Sequence, residues 1–163
     1  MPDQIVIQGA TEEHYPGIVA LIPTLEELFL IYPSGHHPFD IEQVRKLAKE
    51  RKNLTVVLSN KQVIGFSNLY NVTPGKQAFI GNVVIAKSHR GLGLGKQLVS
   101  YMINVIFYTY NAEAHLAVFS VNTPALLLYQ SLGFKPYDLE LREHPENGKC
   151  ALINMKLSNL KQA

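Results

Sequence analysis

One run of residues, Arg90-Gly91-Leu92-Gly93-Leu94-Gly95-Lys96, combines types and spacing suited to holding an anion. It follows a β-branched stretch, Val83-Val84-Ile85, which favours a strand, and a short polar turn, Ala86 to His89. It opens a long helical pattern. Glycines let the backbone approach a ligand closely and adopt turns that a Cβ would forbid. The first amides of a helix have no intrahelical acceptor, and the macrodipole places partial positive charge there. A phosphate answers both needs. Arg90 and Lys96 add two full charges at the same place.

Three phosphate-binding patterns compete for this run. A P-loop requires G-x-x-x-x-G-K-[ST]. Gly95-Lys96 fits it, but Arg90 stands where the first glycine belongs and Gln97 where the Ser/Thr belongs. The dinucleotide fingerprint requires G-x-G-x-x-G early in a βαβ unit. Gly91, Gly93 and Gly95 give G-x-G-x-G, Lys96 replaces the last glycine, and the strands upstream read as a hairpin. The third pattern, Q/R-x-x-G-x-G/A, is met in full by Arg90, Gly93 and Gly95. It resembles motif A of the GNAT family, the Gcn5-related N-acetyltransferases, which bind the pyrophosphate of acetyl-CoA there. A glycine-rich helix start without a ligand is the plain alternative. It would leave many unpaired amides and two cations with no anion to receive them.

The elements that must position this run can be read along the chain. Gln4 to Gln8 is a short apolar strand. Thr11 reads as the N-cap of a helix whose apolar face is Ile18, Val19, Leu21 and Ile22, ended by Pro23. Leu25, Leu28, Phe29 and Tyr32 line one face of a short helix, and Pro33, Ser34, Gly35 and Pro38 force a loop. Asp40 caps a helix over Ile41 to Lys52 with the face Ile41, Val44, Leu47 and Ala48. Arg45, Lys46, Lys49, Arg51 and Lys52 read as its solvated basic face. Leu54 to Ser59 and Gln62 to Tyr70 form a hairpin around Asn60-Lys61. After the turn Thr73-Pro74-Gly75, the strand Gln77 to Ala86 feeds the glycine run. The helix behind it spans roughly Gly93 to Tyr110, with Leu94, Leu98, Met102 and Ile106 on one face. It has no obvious side-chain N-cap, which agrees with a ligand at its N-terminus. Ala114 to Val121 is a buried strand, and the βαβ crossover makes it parallel to Gln77–Ala86. Asn122-Thr123-Pro124 starts a helix that stops at Gly133. Phe134 to Leu139 and Cys150 to Leu157 close the chain around Glu146-Asn147-Gly148.

Composition sets outer bounds. The chain has 163 residues, enough for one domain with a real core over 1–163. Hydrophobic residues make up 47% and charged residues 17%, an ordinary globular balance. A net charge of +2 with dispersed basic residues gives no reason to expect nucleic acid as a partner. The single cysteine, Cys150, forbids an internal disulfide and suggests a reducing compartment, hence the cytoplasm. Neither a signal peptide nor a run of apolar residues long enough for a membrane span is present, so no membrane partner is expected.

The order of elements, β-α-α(α)-β-β-β-α-β-α-β-β, matches the GNAT fold. That resemblance implies an α/β (α+β) architecture: a mixed, mostly antiparallel central sheet, helices on both faces, and a splayed parallel strand pair at the centre. A second motif supports it. Asn122-Thr123-Pro124-Ala125, followed by Leu128-Tyr129-Gln130-Ser131-Leu132-Gly133-Phe134, resembles the family's N-x-x-A-x-x-L-Y-x-x-L-G-F pattern. The resemblance implies an acetyl-CoA-dependent N-acetyltransferase, transferring to a primary amine of a small molecule or peptide by direct attack in a ternary complex. A longer acyl donor, or a non-catalytic CoA-binding sensor or interaction module, are the alternatives. Many relatives dimerise, so a homodimer is possible.

Residue by residue, the resemblance assigns the pyrophosphate to the backbone amides of Gly91, Leu92, Gly93, Leu94, Gly95 and Lys96, with Arg90 nearby. The pantetheine arm would pair with the backbone of Val83, Val84 and Ile85. Asn122 would contact CoA, although a plain N-cap is an equally structural role. Tyr129, two turns further on the same helix face, would protonate the leaving thiolate. Many relatives carry a Glu on the strand before motif A. Here Gln77-Ala78-Phe79-Ile80-Gly81-Asn82 has no carboxylate. A water chain through Asn82 or backbone carbonyls, or one of Glu26, Glu27, His36, His37, Glu143 and His144, is left as the candidate base. Leu25 to Asp40 and Leu139 to Lys149 would border the acceptor, with Glu26, Glu27, Glu140, Glu143 and Glu146 making its mouth acidic and Tyr32, Phe39 and Tyr70 adding an apolar wall. Arg142 and Gly148 to Met155 loosely resemble the ribosomal-protein N-acetyltransferases. His36 and His37 find no third metal ligand at a fitting spacing.

Overall fold

The computed structural model of the protein describes residues 3–146 and 148–159. Its elements are β1 (Ile5–Gly9), a 3-10 turn (Glu12–His14), α1 (Tyr15–Ala20), α2 (Leu25–Ile31), α3 (Ile41–Glu50), β2 (Lys52–Ser59), β3 (Gln62–Thr73) and β4 (Gln77–Ile85). A second 3-10 turn (Lys87–His89) leads to α4 (Leu94–Asn104), then β5 (Glu113–Phe119), α5 (Thr123–Ser131), β6 (Lys135–His144) and β7 (Gly148–Leu157). The strands form one sheet in the order β1-β2-β3-β4-β5-β7-β6. Every neighbouring pair is antiparallel except β4 and β5, which the α4 crossover makes parallel.

Local chemistry explains most of the joints. Asn60 and Lys61 both take positive φ, 48° and 72°, the geometry that two-residue hairpins need to match strand twist. Asp40 caps α3 by accepting from the Gln43 amide at 3.0 Å, and Thr24 caps α2 by accepting from the Glu27 amide at 3.2 Å. Helices cover both faces of the sheet. On one side Leu98, Met102 and Ile106 pack with Ala78, Ile80, Leu116 and Met155. On the other, Ile18, Leu28, Val44 and Leu47 pack with Val56, Phe66 and Val84.

Several boundaries differ from expectation. The helix expected over Gly93–Tyr110 is α4 alone, and Val105–Thr109 winds into a wider π turn. The two last strands are longer than Phe134–Leu139 and Cys150–Leu157, and Asn147 of their turn lies outside the described residues. The helix expected over Ile41–Lys52 ends at Glu50. Arg51 is already extended, at φ −116° and ψ 168°. It therefore leaves the basic face assigned to it and turns inward.

Two irregularities shape the centre of the sheet. β4 pairs with β5 only from Gln77–Glu113 to Ile80–Leu116. Beyond that the strands part: β4 keeps pairing with β3 to Ile85, while β5 pairs with β7 to Phe119. At the parting, β4 bulges. Asn68 lies opposite Gly81 and Phe66 opposite Val84, so Asn82 and Val83 face the single residue Ser67. Asn82 takes φ 52°, a left-handed conformation that Asn tolerates better than most residues. The Ser67 hydroxyl donates to the Gly81 carbonyl at 2.8 Å and pins the bulge.

Candidate active site

The parted strands leave a V-shaped opening with a cavity on each side. The first, about 320 Å³, runs from the glycine run to α5. Val83, Val84, Ile85, Arg90, Gly91, Gly93, Leu94, Gly95, Asn122 and Tyr129 all line it. Two of the residues singled out in sequence do not. The Leu92 side chain is 66% exposed, and the Lys96 side chain lies on another surface beside Ile7, Gln97 and Tyr101. These two reach the loop through their amides alone.

At the glycine run, Gly91 and Gly93 take φ of 80° and 79°, conformations an L-residue enters only at a cost. Gly93 is the N-cap of α4, which no side chain caps. The first helical bond is from the Gln97 amide to the Gly93 carbonyl, 3.1 Å. The amides from Gly91 to Lys96 have no acceptor among the described residues. A Cβ added at Gly91 or Gly93 would meet nothing within 4 Å, so the space before the loop is open. Arg90 is held beside it: its Nε donates to the Ile85 carbonyl at 2.9 Å, and its Nη2 lies 3.5 Å from Glu27 Oε1.

Glu27, offered by sequence as a base, thus belongs to the anion end of the cleft. Residues Leu30 and Ile31 of α2, and His89, also line it. Leu30 and Ile31 belong to the Leu25–Asp40 segment expected to border the acceptor, and the fold brings α2 across the donor side of the opening as well, while His89 enters from the turn before Arg90.

The second cavity, about 160 Å³, opens on the other side of the V. Leu30, Ile31, Val83, Asn122 and Tyr129 line both cavities, so the two meet there. Tyr129 is only 6% exposed. Its ring packs edge-on against Phe134, centroids 6.1 Å apart. Its hydroxyl has no hydrogen-bond partner among the described residues, and burial pushes its pKa well above the ordinary tyrosine value. The Asn122 side chain caps nothing, so only its carbonyl serves α5, accepting from the Leu126 amide at 3.0 Å. The edge of β4 beyond Ile80, which β5 has left, faces the same opening.

Arg51 and Tyr70 form one wall of the second cavity. The guanidinium stacks on Tyr70 with its carbon 4.4 Å from the ring centroid. Its Nη1 donates to Asn68 Oδ1 at 3.0 Å and to Asn82 Oδ1 at 2.8 Å. Asn82 Oδ1 also accepts from Asn68 Nδ2 at 2.7 Å, and Asn82 Nδ2 donates to the Ile31 carbonyl at 2.9 Å. Both acceptor sites of Asn82 are thereby used, which removes it as the head of a water chain. Burial lowers the Arg51 pKa from its usual value, with Tyr70 opposing the change. A Cβ at Gly81 would collide with Nη1 and with the Tyr70 ring. The place a β4 side chain would take is filled by the arginine.

Among the described residues, no Asp, Glu or His lines this second cavity. Glu26 and His144 sit at a separate small cavity with Phe29. The amide and carbonyl of His36 are tied down by Gln43, whose Oε1 accepts from the amide at 2.9 Å and whose Nε2 donates to the carbonyl at 3.0 Å. Glu140 is engaged with Asn154 and Arg142 on β6 and β7. The acidic mouth expected from sequence is therefore not what lines the cavity. Of the expected apolar wall, Tyr32 and Phe39 are core residues, 4% and 5% exposed, and only Tyr70 reaches the cavity. Among the described residues, no three His, Cys, Asp or Glu side chains converge as a metal site would require.

The family model for the Acetyltransferase (GNAT) family matches residues 21–134, which include both cavities' shared lining. The chain belongs to the GNAT family. It is 34% identical over 91 residues to an N-alpha-acetyltransferase of Sulfurisphaera tokodaii, a match covering 55% of this chain and 54% of that protein. The chain thus spans about half the length of that curated relative. In structure it resembles the ribosomal-protein-alanine N-acetyltransferase of Brucella melitensis, with TM-score 0.76 and 19% identity over 93% of this chain and 98% of that one. It also resembles yncA of Salmonella typhimurium, solved with its cofactor acetyl-CoA, with TM-score 0.76 and 18% identity over 95% and 94% of the two chains. These two likenesses are of fold. No single helix among the described residues is long and apolar enough to cross a membrane.

Proposed function

We propose that the protein is an acetyl-CoA-dependent N-acetyltransferase that acts on a primary amine of a small molecule or peptide, by direct attack within a ternary complex. The carrying observation is that two cavities, one suited to an anion-bearing donor and one to an acceptor, meet at Tyr129 and Asn122. The residues present fit CoA: orphan amides at a glycine-flanked helix start, open space before them, and a bared strand edge leading inward.

In this reading the amides from Gly91 to Lys96, with Arg90, hold the pyrophosphate. The backbone of Val83, Val84 and Ile85 offers the unpaired edge of β4 to the pantetheine arm, as an added strand would use it. Asn122 supplies a side-chain amide to the same ligand. Bound acetyl-CoA supplies the thioester carbonyl that the amine attacks. Tyr129 holds a proton at the junction. Its raised pKa keeps the hydroxyl protonated at neutral pH, ready to be given to the departing thiolate. With no carboxylate or imidazole lining the acceptor cavity, the amine sheds its proton to water before it attacks.

The test is release of free thiol from acetyl-CoA across a panel of amines, with the mass of each product. Acetylated product supports the reading. Tight CoA binding without turnover on any amine favours a sensor, an outcome the absence of a lining base makes worth measuring. Thermal stabilisation by NAD or ATP, and none by CoA, overturns the reading at its root.

A further inference from the structure

Building on the acetyltransfer reading, we propose that the acceptor carries a carboxylate close to its amine, as a free amino acid does, and that Arg51 is the residue that receives it. Arg51 and the unpartnered Tyr129 hydroxyl line one and the same cavity of about 160 Å³. That volume suits a single small acceptor, below the usual range for drug-sized ligands.

The arginine is prepared on every side but one. Its face lies on Tyr70, and its Nη1 is fixed by Asn68 and Asn82. These partners are neutral: they orient the guanidinium without cancelling its charge. No ion pair among the described residues includes Arg51. Its Nε and Nη2 have no protein acceptor there. Together these two nitrogens form the edge that binds a carboxylate through paired hydrogen bonds. A partly buried cation is unfavourable alone; the Glu50 carboxylate next along the chain offsets it only in part, without a hydrogen bond, and a bound carboxylate supplies the rest of the charge.

The surroundings select in the same direction. No Asp or Glu lines the cavity, so an acceptor with a second ammonium group would meet a guanidinium and no counter-charge. Gly81 gives the guanidinium its place, since any Cβ there would strike Nη1. With the carboxylate held at Arg51, the amine end of a small acceptor is left to face the Tyr129 junction.

The experiment measures kcat/KM for the common free amino acids, each beside its C-terminal amide, with the native protein, Arg51→Lys and Arg51→Gln. At least one acid should exceed its amide by about tenfold or more, the scale of one charge-assisted hydrogen bond. Arg51→Gln should bring that ratio to about one, and Arg51→Lys should retain part of it, an outcome that mere loss of packing does not produce. Amides or simple amines used as well as acids, a ratio that survives Arg51→Gln, or acetyl-CoA binding with no acid acetylated, each overturns the proposal. If Arg51→Gln does not fold, the native ratio and Arg51→Lys decide. Failure of the underlying reading looks different: no stabilisation by acetyl-CoA and no thiol release with any amine.

Discussion

Arg90 and Glu27 meet over the glycine run, Nη2 and Oε1 3.5 Å apart, so the anion end of the cleft already holds one negative charge. The pair joins α2 to the loop after β4. With side chains 45% and 16% exposed, it resembles a surface ion pair, worth about 0–1 kcal/mol. Neither Glu27→Gln nor Arg90→Gln should move the melting temperature by more than a degree or two. Their effects on CoA should be opposite. Arg90→Gln loosens CoA by about tenfold, the loss of one charge-assisted contact, and Glu27→Gln tightens it a few-fold by removing a like charge. Calorimetric titration at low and high salt checks this, because both effects should shrink as salt screens them. If both substitutions shift affinity in one direction, the loop is not the phosphate site.

Gly93 separates conformation from contact. Gly93→Ala places a side chain at φ 79°, at about 1–2 kcal/mol in stability. The new methyl meets no protein atom within 4 Å and enters the space assigned to the pyrophosphate. CoA affinity should fall further than the stability loss alone explains. Thermal melts with and without CoA give both quantities, and a melt loss with unchanged affinity contradicts the assignment.

Tyr129→Phe should act with opposite signs on stability and rate. The ring is buried, but the hydroxyl, with no partner among the described residues, faces the junction of the two cavities, so removing it should leave the melting temperature unchanged or raised. Losing a general acid should lower kcat by roughly 10²-fold or more, with little change in KM for acetyl-CoA. Equal losses in both constants would make Tyr129 a binding residue only.

The pH profile follows from the same residues. Among the described residues no Asp, Glu or His lines the second cavity, so if the amine binds there the rising limb of kcat/KM should track the pKa of the acceptor amine and move when the acceptor is changed. A limb fixed near the usual histidine range of about 6.5, whatever the acceptor, would reveal an enzyme base. On the alkaline side, Tyr129 is raised by burial, so activity should persist through about pH 10, where an ordinary tyrosine ionises. Stability has the matching sign. The raised group contributes fully below the unfolded value of about 10, and that contribution declines as pH rises beyond it. Tyr129→Phe should remove this part of the alkaline destabilisation.

How much of this was legible in sequence depended on how local the cause was. The Asn60-Lys61 hairpin, the Asp40 cap, the strand into Arg90 and the proline-led start of α5 are set by neighbouring residues, and the chain states them. The pairing of β4 with β5 followed from crossover geometry. Arg51 was not legible. Helical periodicity set it beside Arg45 and Lys49 on a wet face, because nothing local marks Glu50 as the last helical residue. The same holds for Tyr32 and Phe39, whose type says aromatic but not which side of α2 closes over them. β6 was cut short at Leu139 because the charged residues beyond it, Glu140, Arg142 and Glu143, fell in the segment assigned to the acceptor border. It is an edge strand with Leu139 and Leu141 themselves 65% and 67% exposed, so it carries no buried stripe to recognise.

The bulge at Asn82 carries a consequence for how the chain can vary. Before it, Ala78 and Ile80 point into the layer of α4; after it, Ile85 does so and Val84 points into the opposite layer, with α1, α2 and α3. The inserted residue thus shifts the strand's alternation by one beat. Deleting Asn82 alone would leave Val83 opposite Ser67 and Val84 in its own layer, but it would remove the bulge and with it the side chain that holds Arg51 Nη1. β4 can accept new side chains far more readily than a new length: its residue count is part of the site.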